Sequence, residues 1–212
     1  MAKSTQSASL IEVHPATAER WEDLETLFGE KGAYAGCWCT WWRLKHAEFH
    51  MMTRESRKAL LKDLTCKNQV PGVLAYTGGE PSSGGGPSAS GTPVGWCSIG
   101  PRESYISLEA SQTLKRIDNM PVWSIVCFFI LKPFRHQGVM EELLRGAVQY
   151  AGQQGASIVE GYPIDLQSPK LAGKKLSRCE GYMGIASAFR EAGFVEVGRA
   201  SETQLIMRYT IR

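Results

Sequence analysis

The chain has 212 residues, with 24 lysines and arginines against 21 aspartates and glutamates, and 43% of it is hydrophobic. That is enough for one sizeable core and excludes wholesale disorder, while a net charge of +3 excludes the dense basic surface of a non-specific nucleic-acid binder. No apolar run reaches the roughly 18 residues of a membrane span, and the polar start MAKSTQSASL lacks the apolar stretch of a secretory leader. The sequence therefore predicts a cytoplasmic protein with no membrane partner, its six cysteines reduced.

Residues 1–9 are small and polar and are expected to fray. Leu10, Ile11 and Val13 make a short strand closed by His14 and Pro15. A helix fits Ala16 to Phe28, where Trp21, Leu24, Leu27 and Phe28 share an apolar face. Next comes Gly36-Cys37-Trp38-Cys39-Thr40-Trp41-Trp42-Arg43. Its closely spaced tryptophans must lie against something, either anchoring the first helices to a sheet or stacking on a ligand. From Thr40 to Cys66 the pattern is one or two helices. Over residues 41–67 seven basic residues face three acidic ones, which makes either a solvated face or a wall beside an anion.

Gly72–Tyr76 and Val94–Ile99 read as two strands of a hairpin. The segment between them, 77–93, contains TGGEPSSGGGPSASGTP, a flexible Gly/Ser-rich insertion with almost nothing to bury. A short helix is expected around Ser111–Ile117. Val122–Ile130 is nearly continuous apolar sequence, as in a sheet covered on both faces. A helix follows, with Val139, Leu143, Leu144, Ala147, Val148 and Ala151 at spacings of three and four. Ile158–Tyr162 is the next strand, Gly184–Ala192 a helix, and Phe194–Gly198 and Thr203–Ile211 the last two strands.

The strand-to-helix connection Leu131–Met140 carries the chemistry. A helix start offers free amides and a favourable dipole to an anion. Gly138 lets a phosphate approach the backbone, and Arg135 adds a charged fork. Taken alone, this is either a phosphate cradle or an ordinary tight turn. The glycine doublet of a dinucleotide fingerprint is absent. Cys37-x-Cys39 with His46 and His50 lacks the second well-spaced pair of a tight zinc site, so no metal is expected.

Strand, then Pro133-x-Arg135-x-x-Gly138-x-Met140, then an amphipathic helix resembles the coenzyme A loop of the GNAT acetyltransferase superfamily. That pattern is Arg or Gln, two residues, Gly, one residue, then Gly or Ala, and Met140 stands where the small residue is usual. A second signature, Phe189-Arg190-Glu191-Ala192-Gly193-Phe194 before a strand, agrees with it. The resemblance spans roughly Leu10 to Ile211. It implies one α+β domain over 1–212 with α/β-type layers: a central mixed sheet splayed between its fourth and fifth strands, with helices on both faces. It further implies acetyl-CoA as cosubstrate. The pantetheine would pair near Phe129, Ile130 and Leu131, and the pyrophosphate would lie on Gln137, Gly138, Val139 and Met140 beside Arg135. The acceptor, a primary amine of a small molecule or peptide, would enter beside Tyr34, Cys37 and Trp38. The basic stretch Lys170–Arg178 would meet adenosine-side phosphates or face water, and the last strand is expected to join a homodimer.

Family members often carry a tyrosine four residues before the Gly-Phe pair, as acid for the departing thiolate; here that residue is Phe189. Tyr182 is the substitute of choice, with Tyr34, Tyr162 or water as others. For a base, Glu160 and Asp165 lie on and just beyond the fifth strand, with Glu109 and Asp118 behind them. The resemblance thus implies an N-acetyltransferase working by direct attack in a ternary complex. Transfer of a longer acyl group and a non-catalytic CoA-binding module are its rivals.

Overall fold

The computed structural model describes residues 11–67, 69–78, 91–173 and 181–212. The expected fraying of 1–9, most of the Gly/Ser insertion and most of the Lys170–Arg178 stretch lie outside the described residues. In chain order the elements are β1 (Ile11–Pro15), α1 (Trp21–Phe28), α2 (His46–Met51), α3 (Arg54–Cys66), β2 (Gly72–Thr77) and β3 (Thr92–Pro101). Then come α4 (Ile106–Glu109), β4 (Trp123–Ile130), α5 (Val139–Gln153), β5 (Ile158–Gly161), α6 (Ala186–Glu191), β6 (Val195–Ser201) and β7 (Gln204–Thr210).

These strands form a mixed sheet in the order β1-β2-β3-β4-β5-β7-β6, antiparallel except where β4 meets β5. Side chains alternate across it as period two requires. In β2, Val73 and Ala75 face α5, while Leu74 and Tyr76 face α1. In β4, Phe128 and Ile130 join the α5 side, while Cys127 and Phe129 pack on the α1 side. Both faces are thus covered, which is why β4 is apolar almost throughout.

Three expectations change. The helix expected from Ala16 begins at Trp21, after a single 3-10 turn, because the Ala16 amide extends the β1 ladder by donating to Gly72 O (2.9 Å). No helix forms at Ser111–Ile117; the Leu114 carbonyl accepts from Arg102 Nη2 (2.6 Å) instead of from a helical amide. And the last strand is not an edge: β7 lies between β5 and β6, so an edge-to-edge dimer through Leu205–Ile211 has no free ladder to use. The outer strand is β6.

β4 and β5 pair only over Trp123–Ile125 with Val159–Gly161. Beyond that point β4 carries one extra residue relative to β3, Val126, and runs on to Ile130 without pairing with β5. The sheet splays there. Phe189 helps hold it open: its buried ring lies where a side chain on Gly161 or Gly184 would be, the ring carbons being 2.3 Å and 2.6 Å from the Cβ positions those glycines lack. Among the described residues, no helix is long and apolar enough to cross a membrane.

Candidate functional site

α5 starts beside the splay. Gly138 precedes it in the left-handed region (φ +81°), with open space where a Cβ would project. The first helical amide with a carbonyl partner inside the helix is that of Glu142, which donates to Gly138 O (3.1 Å). The amides of Val139, Met140 and Glu141 come before it and have no such partner, leaving a donor-rich helix start. Arg135 is exposed and anchored by Nε to Ile130 O (3.0 Å). Gln137 turns back to cap Pro133 O (2.6 Å). A group bearing phosphates fits this turn: a cradle open at Gly138, an arginine at its lip, and no side chain in the way. Met140 is half-buried against the core under α5 and does not block it.

Backbone parity decides which groups of β4 face the splay. Leu131 N donates to Val94 O (3.0 Å), towards β3. Phe128 N donates to Tyr182 O (2.6 Å) and Ile130 O accepts from Arg135, both on the open side. Phe128 and Ile130 therefore present their polar groups to the splay, whereas those of Phe129 and Leu131 turn to β3. Of the three residues expected to pair there, Ile130 alone turns its polar groups to the splay, and Phe128 shares that orientation. Phe129 contributes its ring.

Opposite the α5 turn stands the cysteine and tryptophan loop. From Gly32 to Cys39 it holds six residues at positive φ, four of them not glycine: Ala33 (63°), Ala35 (53°), Trp38 (43°) and Cys39 (53°). Left-handed backbone costs a side-chain-bearing residue about 1–2 kcal/mol, so the surroundings must over-determine it. They do. Trp38 stacks on Trp21 (6.0 Å) and packs at a tilt against Phe28 (5.5 Å). Arg57 donates to Gly36 O (3.2 Å) and Phe49 O (2.6 Å), and Thr40 Oγ1 to Cys37 O (2.8 Å). Arg43 reaches Pro71 O (3.1 Å) and lies 4.5 Å over the Tyr105 ring. Two of the basic residues of 41–67, Arg43 and Arg57, thus brace the loop.

The loop and the α5 turn line one cavity of about 1050 Å³. Tyr34, Trp41, Trp42, Phe49, Phe28 and Trp96 form an aromatic wall; Cys37, Cys39, Cys127, Phe128 and Phe129 line the part beside β4; Arg135, Gly138, Val139 and Met140 line the far end; Tyr182 and Ala188 complete it. Because the cavity takes residues from both faces of the sheet, it passes through the splay.

The expected site residues divide accordingly. Tyr34, Cys37, Phe129, Ile130, Arg135, Gly138, Val139, Met140 and Tyr182 come together around this cavity. Trp38 does not; it is 2% exposed and packs behind the wall, which Trp41 and Trp42 form in its place. Leu131 and Gln137 also lie off the lining.

The two carboxylates expected as base are elsewhere. Glu160 is buried, Oε1 accepting from Arg102 Nη1 (3.0 Å) and Tyr162 (2.7 Å), and Oε2 from Arg208 Nε (2.8 Å). Burial, and then the Glu160 charge, push the Tyr162 phenol well above its ordinary value, so it stays a donor. Glu109 and Asp118 serve the same arginines, Arg102 and Arg208. Asp165 caps Gln167 N (3.2 Å) and pairs with Arg199 (3.5 Å). These acids tie β5 to β7, to β6 and to the turn after β3; they do not line the cleft. Among the described residues no group of three or more His, Cys, Asp or Glu is arranged to hold a metal ion.

The family model of the GNAT acetyltransferases matches residues 38–163, more than half of the chain. Among solved structures, the chain is similar to a GNAT-family acetyltransferase from Listeria monocytogenes 4b F2365, at 10% identity over 95% of each chain with a TM-score of 0.51. It also matches a ribosomal-protein-S5-alanine acetyltransferase from Vibrio fischeri, at 12% identity over 96% of this chain and 97% of that one, with a TM-score of 0.49. No curated protein matches it in sequence. The splayed mixed sheet, the anion-ready turn where β4 leads into α5 and the match over residues 38–163 lead to one conclusion: the chain belongs to the GNAT acetyltransferase family, whose fold serves acyl transfer from coenzyme A thioesters.

Proposed function

We propose that this protein moves an acetyl group from acetyl-CoA to a primary amine of a small molecule or peptide, by direct attack with both substrates bound. One observation carries the reading: the α5 turn and the aromatic loop, far apart in sequence, line a single cavity through the splay. A phosphate-bearing thioester and an amine can thus meet inside one aromatic-lined space. Acetyl-CoA would supply an activated acyl carbon and a good leaving group. Arg135 and the amides at Gly138, Val139 and Met140 would hold its pyrophosphate, with Gln137 stiffening the turn. The splay-facing groups of Phe128 and Ile130 would receive the pantetheine arm, and the Phe128 amide would polarise an acyl carbonyl on exchanging its bond to Tyr182 O for the ligand. Tyr34, Cys37, Trp41 and Trp42 would enclose the acceptor, and Tyr182 would protonate the departing thiolate. The free thiols at Cys37, Cys39, Cys66, Cys97 and Cys127 suit the reducing cytoplasm.

The test is calorimetric titration of the protein with acetyl-CoA, followed by an amine panel of arylalkylamines, polyamines, amino acids and short peptides. Micromolar binding, abolished in Arg135→Glu and followed by turnover of at least one amine, is the expected result. A folded wild type that does not bind acetyl-CoA would sink the reading.

A further inference from the structure

The lining of the cavity is sorted by charge along its length. Among the described residues that form it, Arg135, Glu141 and the imidazole of His136 all belong to the connection between β4 and α5 or to the first turn of α5. The aromatic wall and the adjoining part of β4 present rings, the thiols of Cys37, Cys39 and Cys127, and the small side chains of Ala33 and Ala35, with no carboxylate, ammonium or guanidinium among them. The rings meet edge to face: Phe28 with Trp96 (5.8 Å, 86°) and with Phe129 (5.6 Å, 78°), and Trp41 with Phe49 (4.9 Å, 84°). Two basic side chains back the wall from outside. Arg57 lies 3.8 Å over the Phe49 ring and His46 stacks on Trp41 at 4.3 Å, and neither lines the cavity.

We propose that the acceptor is an arylalkylamine, a primary amine on a short alkyl chain whose aromatic ring carries no charge, an inference that rests on the transfer reading above. Three properties of the wall select it. A guest ring extends the edge-to-face packing already present, which an alkyl body of equal size does not. A second ammonium, as in a polyamine, or a carboxylate, as in an amino acid, would leave water at this end without a counter-charge. And Phe49 already holds the Arg57 guanidinium on its outer face, which draws π density away from any second cation on the inner one. The wall is therefore built for a ring and not as a cage for ammonium. Its rings also need little ordering when a ligand arrives, because Trp41 is fixed on His46 and Phe28 is wedged between Trp96 and Phe129.

The same surroundings suit the reaction. Tyr34 lines the cavity and is 54% exposed, so the wall reaches the surface and the amine has an entrance opposite the α5 turn. An apolar wall disfavours the charged form, so the ammonium ion gives a proton to water as it enters. The nitrogen lone pair then forms the C–N bond to the acetyl carbon while the C–S bond of the thioester breaks, leaving its pair on sulfur. The departing thiolate takes a proton from Tyr182, and Tyr182 regains one from the nitrogen through water. Atoms and charge balance, and the products are an N-acetylarylalkylamine and the free thiol of coenzyme A.

Two measurements test this. The first compares kcat/KM at saturating acetyl-CoA for phenylethylamine and three relatives: phenylalanine, which adds a carboxylate; spermidine, which adds charge and lacks the ring; and cyclohexylethylamine, which keeps the size and loses the aromaticity. Phenylethylamine should exceed the first two by about a hundredfold or more and cyclohexylethylamine several-fold. Ala35→Asp supplies the missing carboxylate at an exposed lining position whose φ of 53° aspartate tolerates. It should cut the advantage over spermidine several-fold and leave the affinity for acetyl-CoA unchanged. The second measurement needs no turnover: calorimetric titration of the CoA-saturated protein with phenylethylamine, whose affinity should fall several-fold in Trp41→Leu. The wild-type ratios decide the matter should Trp41→Leu fail to fold. Spermidine, phenylalanine or cyclohexylethylamine used as well as phenylethylamine, or phenylethylamine affinity unchanged in Trp41→Leu, overturns the inference while the transfer reading stands. A wild type that binds acetyl-CoA but acetylates no amine at all overturns the transfer reading itself, and the acceptor assignment with it.

Discussion

Trp38 and Trp41 stand three residues apart in one motif and have opposite roles. Trp38 is sealed between Trp21 and Phe28, so Trp38→Ala should cost about 3–5 kcal/mol of stability, read by urea denaturation. Trp41 lines the cavity and stacks at 4.3 Å on His46. Trp41→Ala should raise the amine KM several-fold while leaving acetyl-CoA binding unchanged in calorimetry. A stable Trp38→Ala protein with a raised KM would reverse this assignment. Composition showed that these rings needed a surface. Which of them faces a ligand follows from the left-handed turn at Trp38 and Cys39, and no residue type announces that. Glu160 teaches the same lesson. Alternation placed it on the strand beside the splay, but Arg102 and Arg208 converge on it from far along the chain. Glu160→Ala should therefore cost about 3–5 kcal/mol, as broken buried pairs do, and leave kcat/KM per folded molecule close to wild type; a selective loss of kcat in a stable protein would restore it as a base.

At the scale of elements, patterns with strong periodicity survived folding. The apolar run of β4, the three-four spacing of α5 and the Gly193 stop after α6 all appear within a few residues of their expected limits. Weakly patterned pieces did not: α1 starts late because Ala16 joins a strand ladder, and the helix expected near Ser111 lost Leu114 to Arg102. Gly146, inside α5, gives a test of packing against propensity. Alanine in a helix interior normally gains about 1 kcal/mol over glycine. Here an added Cβ would lie 2.3 Å from Val13 Cγ1 on β1. Gly146→Ala should accordingly destabilise by about 1–3 kcal/mol, as overpacking does; a rise in melting temperature would show that β1 yields without cost.

On the scale of the whole molecule, the cavity joins elements that fold as separate layers, so a ligand spanning the splay should couple them. Saturation with acetyl-CoA at a hundred times its Kd should add about 2.7 kcal/mol to unfolding, visible as a raised Tm that Arg135→Glu lacks. A Tm unmoved by saturating acetyl-CoA would detach the cavity from that ligand. The sequence by itself determined the order of elements, the doubly covered β4 and the glycine that opens the start of α5, because hydrophobic period, glycine placement and helix starts are local properties. Only the tertiary structure decided that β7 inserts between β5 and β6, that Phe128 and not Phe129 turns its amide to the splay, that Glu160 on β5 is held by Arg102 and Arg208, and that the Cys39 sulfur accepts the Trp96 indole N–H. Each of these depends on strand register or on side chains from distant segments closing on one point, and a linear pattern carries neither.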